Sequence, residues 1–472
     1  MEFIDRKEEL MRLRNLIHAP MGKLAVIYGR RRIGKSCLLT KWCQECDGFY
    51  WVADTSTSAL QRIAFSEAFA TRFPGFDGVI YPSWHSLFKA VSLRARLEGW
   101  HGPMIFDEFP YLVAADEALP GVFQEWIDTE IREQGIVAVI SGSSQHIMQG
   151  LTLQADNPLY GRAQEILALK PLAAGHIQNA LNLSSPVQAI KAYAVWGGIP
   201  RYWQSAEKYA DNLEQSVDDL VFNPLGLFHE EPNFLLQGET PNAIGLRPYL
   251  DVIGYGAHRI SEMSARLQQA ATALSRPIAR LIQLGLIQRQ LPFGENEKSS
   301  KKSLYTISDP FCHLWFQVIA PRRSLFENAT SQGRKLLWRR YANAIFSYQW
   351  EVLCRSQIHR IRRIQELLPN DDCWIPAKRW WHENRPEWDI VTSNLTGDAT
   401  LWGEVKWSET PFSCSQIREL ALTLSSRDRF KVASNRMFHV LIVPSMESNA
   451  PSLVNDVVVL TAQDILDGSI EE

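Results

Sequence analysis

The stretch LAVIYGRRRIGKS, Leu24 to Ser36, decides the fold. Its first five residues are a short apolar run bounded by glycine, which predicts a buried β-strand. The eight that follow, Gly29-Arg30-Arg31-Arg32-Ile33-Gly34-Lys35-Ser36, satisfy G-x-x-x-x-G-K-[ST] at every fixed position. Cys37–Cys46 then predicts a helix. Strand, glycine-rich loop and helix together make an anion cradle, because backbone N–H groups at a helix N-terminus point at negative charge. The backbone of Gly29, Arg32, Ile33, Gly34 and Cys37 is therefore expected to wrap a polyphosphate. Lys35 is expected to reach its β- and γ-phosphates, and Ser36 to ligate Mg²⁺.

A cradle of this kind needs an acidic strand end nearby. Met104-Ile105-Phe106-Asp107-Glu108 supplies one. Asp107 would hold the Mg²⁺ shell, and Glu108 would orient or deprotonate an attacking water. The next strand, Val137–Ile140, runs into Ser141-Gly142-Ser143-Ser144, where a side chain would either contact the γ-phosphate or simply build a Ser/Gly turn. With Phe49–Val52 and Glu165–Leu169, these runs alternate with helical stretches, the pattern of a parallel α/β sheet. The pattern gives an expected core over 1–170. Helices over 171–240 suggest a lid. Over 241–318, three predicted helices (Pro248–Gly254; Ser261–Leu267, capped by Ser261; Ser275–Leu284) precede two strands flanking the charged loop FGENEKSSKK, the winged-helix order. Over 319–472, strands return at Trp374–Trp381, Glu387–Ser393, Thr400–Trp407, Met437–Val443 and Asp456–Leu460, with a helix at Ser415–Leu424.

The chain has 472 residues, 46% hydrophobic and 21% charged, with a net charge of −3. That is globular composition and excludes a disordered, collagen-like or disulfide-scaffold chain. No apolar run approaches the ~18 residues of a membrane span, and the charged N-terminus predicts no signal peptide. Seven scattered cysteines suggest a reducing, cytoplasmic setting. Cys43 and Cys46 read as a buried structural pair, since zinc needs more ligands. The acidic balance hides a basic stretch from Arg322 to Arg363, ten Lys/Arg against two Glu. Arg339, Arg340, Arg355, Arg362 and Arg363 would there either neutralise phosphates or form a solvated face.

Phe3-Ile4-Asp5-Arg6, YGRRRIGKS, FDEFPYL, SGSS, PLYGR and WGGIPRYW, followed by EEPNFLL and Ser308-Asp309-Pro310-Phe311, resemble the archaeal-type ATPase family of AAA+/STAND-like P-loop ATPases. The resemblance runs along nearly the whole chain. It implies ATP and Mg²⁺ as cofactors. It places Asp5 and Arg6 near the adenine side, Ser143 at a sensor-1 position and Arg201 at a sensor-2-like position. Arg162 resembles an arginine finger acting on a neighbouring subunit of a homo-oligomer. Some members carry a C-terminal domain similar to the PD-(D/E)xK nuclease fold. Here Asp389 lies on one predicted strand and Glu404 and Lys406 share one face of the next. Glu351 on the preceding helix matches that fold's helical glutamate. Asp389 and Glu404 would share one Mg²⁺ or Mn²⁺, with Lys406 beside the attacking water. Pro386 and Asp389 are not adjacent, so the motif is its relaxed form.

The expected fold class is α/β: a P-loop AAA+-like parallel sheet with a helical lid, a winged helix and a C-terminal restriction-endonuclease-like domain. The expected function is an ATP-hydrolysing, DNA-associated protein with metal-dependent endonuclease activity and no membrane association. The alternatives are an ATP-switched DNA-binding or signalling protein whose nuclease-like domain is silent, and a motor that remodels a protein partner.

Overall fold

The structure, a computed structural model, describes residues 3–18, 21–239, 241–298, 302–382, 385–427 and 436–470. The chain forms two compact units. One comprises Phe3–Pro171 together with Phe234–Ile244; the other comprises Leu172–Asn233 and the chain from Gly245 onward.

The first unit is built on β1 (Lys23–Tyr28), β2 (Phe49–Val52), β3 (Met104–Asp107), β4 (Val137–Gly142) and β5 (Ala163–Ala168). Each lies within two residues of its expected place. All pairs are parallel, in the order β2-β3-β4-β1-β5. Strands β3 and β4 are buried along their whole length, because crossover helices cover both faces of a parallel sheet. On one face Leu24, Val26, Phe106 and Ile140 meet Phe65, Phe88, Phe123 and Trp126. Phe88 stacks on Trp126 at 4.6 Å between centroids. A buried side chain of this size stabilises the fold by about 2–3 kcal/mol relative to an exposed one. The strand order has a functional consequence. Strands β1, β4 and β3 are neighbours pointing the same way, so the loops leaving their C-terminal ends open along one edge, where open α/β sheets bind ligands.

In the second unit, helices Pro186–Trp196 and Pro200–Ala206 precede helices Arg247–Gly254, Ile260–Leu267 and Ser275–Gln283. The last leads into an antiparallel pair, β6 (Ile287–Gln290) and β7 (Leu304–Ile307). Residues 299–301 of the intervening loop lie outside the described residues. Ser261 is not the cap it was expected to be. The helix starts one residue earlier with Arg259 at N-cap, because Glu262 reaches back to accept from the backbone N–H groups of His258 and Arg259, at 2.8 and 3.1 Å.

A 27-residue helix, Ser331–Gln357, follows. After it come β8 (Lys378–His382), β9 (Arg385–Ser393), β10 (Ala399–Val405), helix Cys414–Ser426, β11 (Arg436–Ile442), β12 (Leu453–Val454) and β13 (Val457–Leu460). Their sheet order is β12-β13-β11-β10-β9-β8, antiparallel from β8 to β10 and parallel from β10 through β11 to β13. The strand expected at Trp374–Trp381 begins only at Lys378. Pro376 has no N–H to give a ladder, and Trp374 makes just a single bridge to Asn394. The long helix is anchored by a buried ion pair in which Arg334 meets Asp218 at 2.5 Å. The seven cysteines are free thiols. Among the described residues no helix is long and apolar enough to cross a membrane.

Candidate nucleotide and carboxylate sites

The loop after β1 takes its shape from two glycines. Gly34 sits at φ 95°, a conformation L side chains rarely adopt. A Cβ on Gly29 would stand 2.9 Å from the Leu169 carbonyl oxygen. Arg32 and Glu108 also hold left-handed backbone, at φ 70° and 53°, at a cost of about 1 kcal/mol or more each. Lys35 opens helix Lys35–Glu45, two residues before the expected start. Its ammonium is buried and folds back to donate to the carbonyls of Gly29 (2.8 Å) and Arg30 (3.3 Å). Burial lowers its pKa from the ordinary lysine value, opposed by the carboxylates of Glu108, Asp107 and Glu239.

Ser36 Oγ donates to Asp107 Oδ2 at 2.7 Å. The loop serine and the end of β3 thus converge as sequence spacing suggested. A hydroxyl and a carboxylate in contact are the hard oxygen donors Mg²⁺ takes, so the residues fit that ion. Asp107 also accepts from the backbone N–H of Glu108 at 3.0 Å. A further donor, Tyr50 on β2, gives its phenol proton to the same Oδ2 at 2.5 Å. Burial, with the Asp107 carboxylate beside it, pushes the Tyr50 phenol pKa well up. Glu108 is held by Ser143: the Ser143 N–H donates to Oε2 at 3.2 Å and its hydroxyl to Oε1.

Sequence reasoning missed Tyr50 and Glu239. Tyr50 reaches Asp107 only because β2 pairs with β3. Glu239 lies some two hundred residues beyond the glycine loop, yet it is buried against the loop that follows β4. Its carbonyl accepts from Ser144 Oγ at 2.8 Å, and its carboxylate from the Gln145 N–H at 3.1 Å, at the start of helix Gln145–Leu153. No local pattern marks either residue.

The remaining expected nucleotide residues are placed as follows. Arg6 is buried and committed to backbone: one nitrogen donates to the carbonyls of Ile33 (3.1 Å) and Lys170 (2.7 Å), and another to Glu9 (2.8 Å). It therefore braces the glycine loop from behind. Asp5 precedes it, half-buried, at φ 57°. Cys37 occupies the first turn of helix Lys35–Glu45 with its side chain exposed. Arg162 pairs with Asp128 at 3.0 Å and donates to the Pro158 carbonyl at 2.8 Å. Arg201 belongs to the other unit, exposed and bonded to Gln204.

In the second unit, Glu351 comes from helix Ser331–Gln357 and Asp389 from β9. Glu404 comes from β10, and Lys406 is the second residue beyond it, just past the strand's end. Asp389 Oδ2 accepts from the Val405 N–H at 3.0 Å. Burial, with the Glu351 and Glu404 carboxylates close by, pushes the Asp389 pKa up to about 6. The three carboxylates thus share one electrostatic neighbourhood, yet cations pair with two of them, Glu351 and Glu404. Lys406 Nζ meets Glu404 Oε1 at 2.6 Å, and Arg427 takes the other Glu404 oxygen. Arg355 binds Glu351 and donates to the Asp389 carbonyl at 2.7 Å. Among the described residues no group of three or more His, Cys, Asp or Glu side chains is arranged to hold a metal ion. Asp389 and Glu404 remain chemically suited donors, but Glu404 would have to exchange its cations for a metal.

The basic stretch is largely consumed internally. Arg339 pairs with Glu214 at 2.7 Å and Arg362 with Glu366 at 2.9 Å. Arg363 donates to the carbonyls of Val459 and Ser452 and to Asp464. Of the five arginines expected to meet phosphate, Arg355 is nearly buried, and Arg340 lies 5.7 Å from the Tyr341 ring centroid.

Residues 3–204 match a family model described as an ATPase domain predominantly from Archaea. That part of the chain is similar to archaeal-type P-loop ATPase domains. A second model, of archaeal and bacterial proteins of unknown function, matches residues 315–420. An uncharacterized protein of Methanocaldococcus jannaschii is 25% identical over 411 residues, 86% of this chain and 88% of its own length. A Walker-type ATPase of Pyrococcus abyssi aligns in three dimensions with a TM-score of 0.52 at 19% identity, over 67% of this chain and 96% of its own. The ORC2 protein of Aeropyrum pernix aligns at 0.42 with 13% identity, over 73% of this chain and 95% of its own.

Proposed function

We propose that the protein binds and hydrolyses ATP with Mg²⁺, and that this turnover controls a DNA-directed second unit. The contact between Ser36 and Asp107, with Lys35 and Glu108 on the same sheet edge, carries the first part. Lys35 leaves the Gly29 and Arg30 carbonyls and takes the β- and γ-phosphates. Ser36 and Asp107 would hold Mg²⁺, which supplies charge neutralisation at the phosphates. Glu108, freed from Ser143, accepts the proton of the attacking water as its oxygen bonds to the γ-phosphorus, and the bond from that phosphorus to the β–γ bridging oxygen breaks to release ADP. The separation of binding from turnover tests this reading. Lys35→Ala should lose ATP binding, whereas Glu108→Gln should keep it and fall at least about a hundredfold in turnover. A Glu108→Gln protein that hydrolyses ATP at the wild-type rate removes Glu108 as the base. Arg162 acts across a subunit interface only if it leaves Asp128. ATPase per chain that is independent of protein concentration would refute that role.

For the second unit the proposal is a metal-dependent endonuclease acting on DNA. The order helix, three antiparallel strands, helix and parallel strand, with Glu351, Asp389, Glu404 and Lys406 at matching places, supports it. Helices Arg247–Gly254 to Ser275–Gln283 with the β6–β7 hairpin form a winged-helix arrangement suited to duplex binding. The competing reading, a silent domain that only binds DNA, draws on the pairing of Glu404 with Lys406 and Arg427. Cleavage of plasmid DNA with Mg²⁺ or Mn²⁺ by wild type and not by Asp389→Ala favours the endonuclease. Binding without cleavage favours the silent domain.

A further inference from the structure

Three carboxylates act electrostatically on the loop lysine, and only two have work in the chemistry above. Asp107 sits on the Ser36 hydroxyl, and Glu108 is the base. Glu239 is the third. It is brought in by the short segment Phe234–Ile244, which packs within the ATPase unit although the chain on both sides of it belongs to the other unit. The segment touches the site at two levels. At Gly238 a Cβ would lie 3.8 Å from the Arg31 guanidinium, at the tip of the glycine loop. At Glu239 the backbone accepts from Ser144 and the carboxylate from Gln145. Ser143, the immediate neighbour of Ser144, is the residue that holds Glu108. Two consecutive serines therefore hold the base with one hand and the segment with the other.

We propose that Glu239 reads the γ-phosphate: its buried carboxylate sets the preference between nucleoside triphosphate and diphosphate, and its displacement by triphosphate loosens the Phe234–Ile244 segment. The inference rests on the nucleotide reading above. The physical cause is charge. Lys35 bonds the carbonyls of Gly29 and Arg30 and feels the Glu239 carboxylate, which is held on the Gln145 N–H beside the loop after β4. A diphosphate leaves that side of the site much as it is. A triphosphate brings further negative charge onto Lys35, and a second anion in a poorly solvated site is unfavourable. The carboxylate must then leave Gln145, and the chain carrying it moves. The bland alternative is that Glu239 merely anchors the start of helix Gln145–Leu153, where an anion is favourable anyway.

Glu239→Gln separates the two, because the amide keeps the size and the acceptor oxygen and loses the charge. Equilibrium titration with a slowly hydrolysed ATP analogue and with ADP is the measurement, on the full chain with Mg²⁺. The expected result is about tenfold tighter binding of the analogue, equal to ~1.4 kcal/mol, with the ADP constant changed less than about twofold. An unchanged ratio of the two constants, or equal weakening of both, overturns the proposal and leaves an anchor. Amide exchange of wild type across residues 234–244 gives a second readout that needs no variant. Faster exchange with the analogue than with ADP is expected; equal protection overturns the proposal. If wild type binds neither nucleotide, the nucleotide reading itself has failed, which the titration shows directly.

Discussion

Replacing Arg6 by methionine tests the brace behind the glycine loop. The guanidinium is 6% exposed and donates to the Ile33 and Lys170 carbonyls and to Glu9. Methionine retains most of the aliphatic stem and removes all three donors. A hydrogen bond from a charged donor contributes about 1.5–3 kcal/mol. Losing both bonds to the buried Ile33 carbonyl and the partly buried Lys170 carbonyl therefore costs up to about 3–6 kcal/mol, offset in part because water can reach Lys170 and no guanidinium has to be desolvated. A net loss of about 3 kcal/mol is expected. The cost should fall on local opening of β1 and the loop, since Arg6 ties the entry of helix Lys7–Ile17 to both the loop and Lys170, two residues beyond β5. Native-state amide exchange reads this directly. The amides of β1 should exchange about a hundredfold faster, while those of β10 and β11 in the other unit serve as an unchanged internal control. Exchange within about threefold of wild type refutes the brace. If ATP affinity fell while exchange stayed constant, Arg6 would instead be a direct nucleotide contact.

Three further outcomes follow from the geometry. Tyr50→Phe removes a donor that competes with Mg²⁺ and its waters for Asp107, so half-maximal ATPase should need about fivefold less Mg²⁺, the value of one ~1 kcal/mol hydrogen bond; an unchanged or higher requirement counts against that competition. Asp389 has its folded pKa raised to about 6, so the folded state binds the extra proton between about pH 4 and 6 and its carboxylate costs stability as pH rises through that window. Asp389→Asn should therefore be more stable than wild type at pH 8 by about 3 kcal/mol, with the difference vanishing near pH 4 in denaturant melts; a pH-independent difference contradicts the raised pKa. Arg334→Ala strands Asp218 in a buried setting and should cost about 3–5 kcal/mol; a loss below about 1 kcal/mol in the same melts would mean that water reaches the carboxylate.

What could be read from the chain was what is local. The Gly29–Ser36 pattern and the acidic end of β3 each depend on a few consecutive residues and follow β1 and end β3 as the spacing predicts, whereas the expected shared strand face of Glu404 and Lys406 is cut short because β10 ends at Val405. Strand positions were legible because parallel strands buried on both faces are continuous apolar runs. The missed features are relations between distant segments. Tyr50 depends on which strand neighbours β3, and Glu239 on a segment folding back across the chain. The arginines between Arg322 and Arg363 show the same limit from the other side. Their charge is plain in the sequence, but Asp218, Glu214 and Asp464, which neutralise several of them, come from far away in it. The cap of helix Ile260–Leu267 turned on one competition, in which the longer Glu262 side chain reaches two backbone N–H groups that Ser261 cannot.

The return of Phe234–Ile244 to the ATPase unit has a consequence for synthesis. A ribosome makes this chain from its N-terminus, and domains generally fold as units while they emerge. All five strands of the first sheet are complete by Ala168, so the sheet can assemble early. Its last piece arrives some seventy residues later, after the helices of the other unit between Leu172 and Asn233 have been made. Until then helix Gln145–Leu153 lacks the carboxylate at its start, and Ser144 lacks the Glu239 carbonyl. A nascent chain would thus carry an assembled glycine loop before the segment that closes over it exists, and the contacts of Ser144 and Gln145 with Glu239 would form only once the other unit is already under construction.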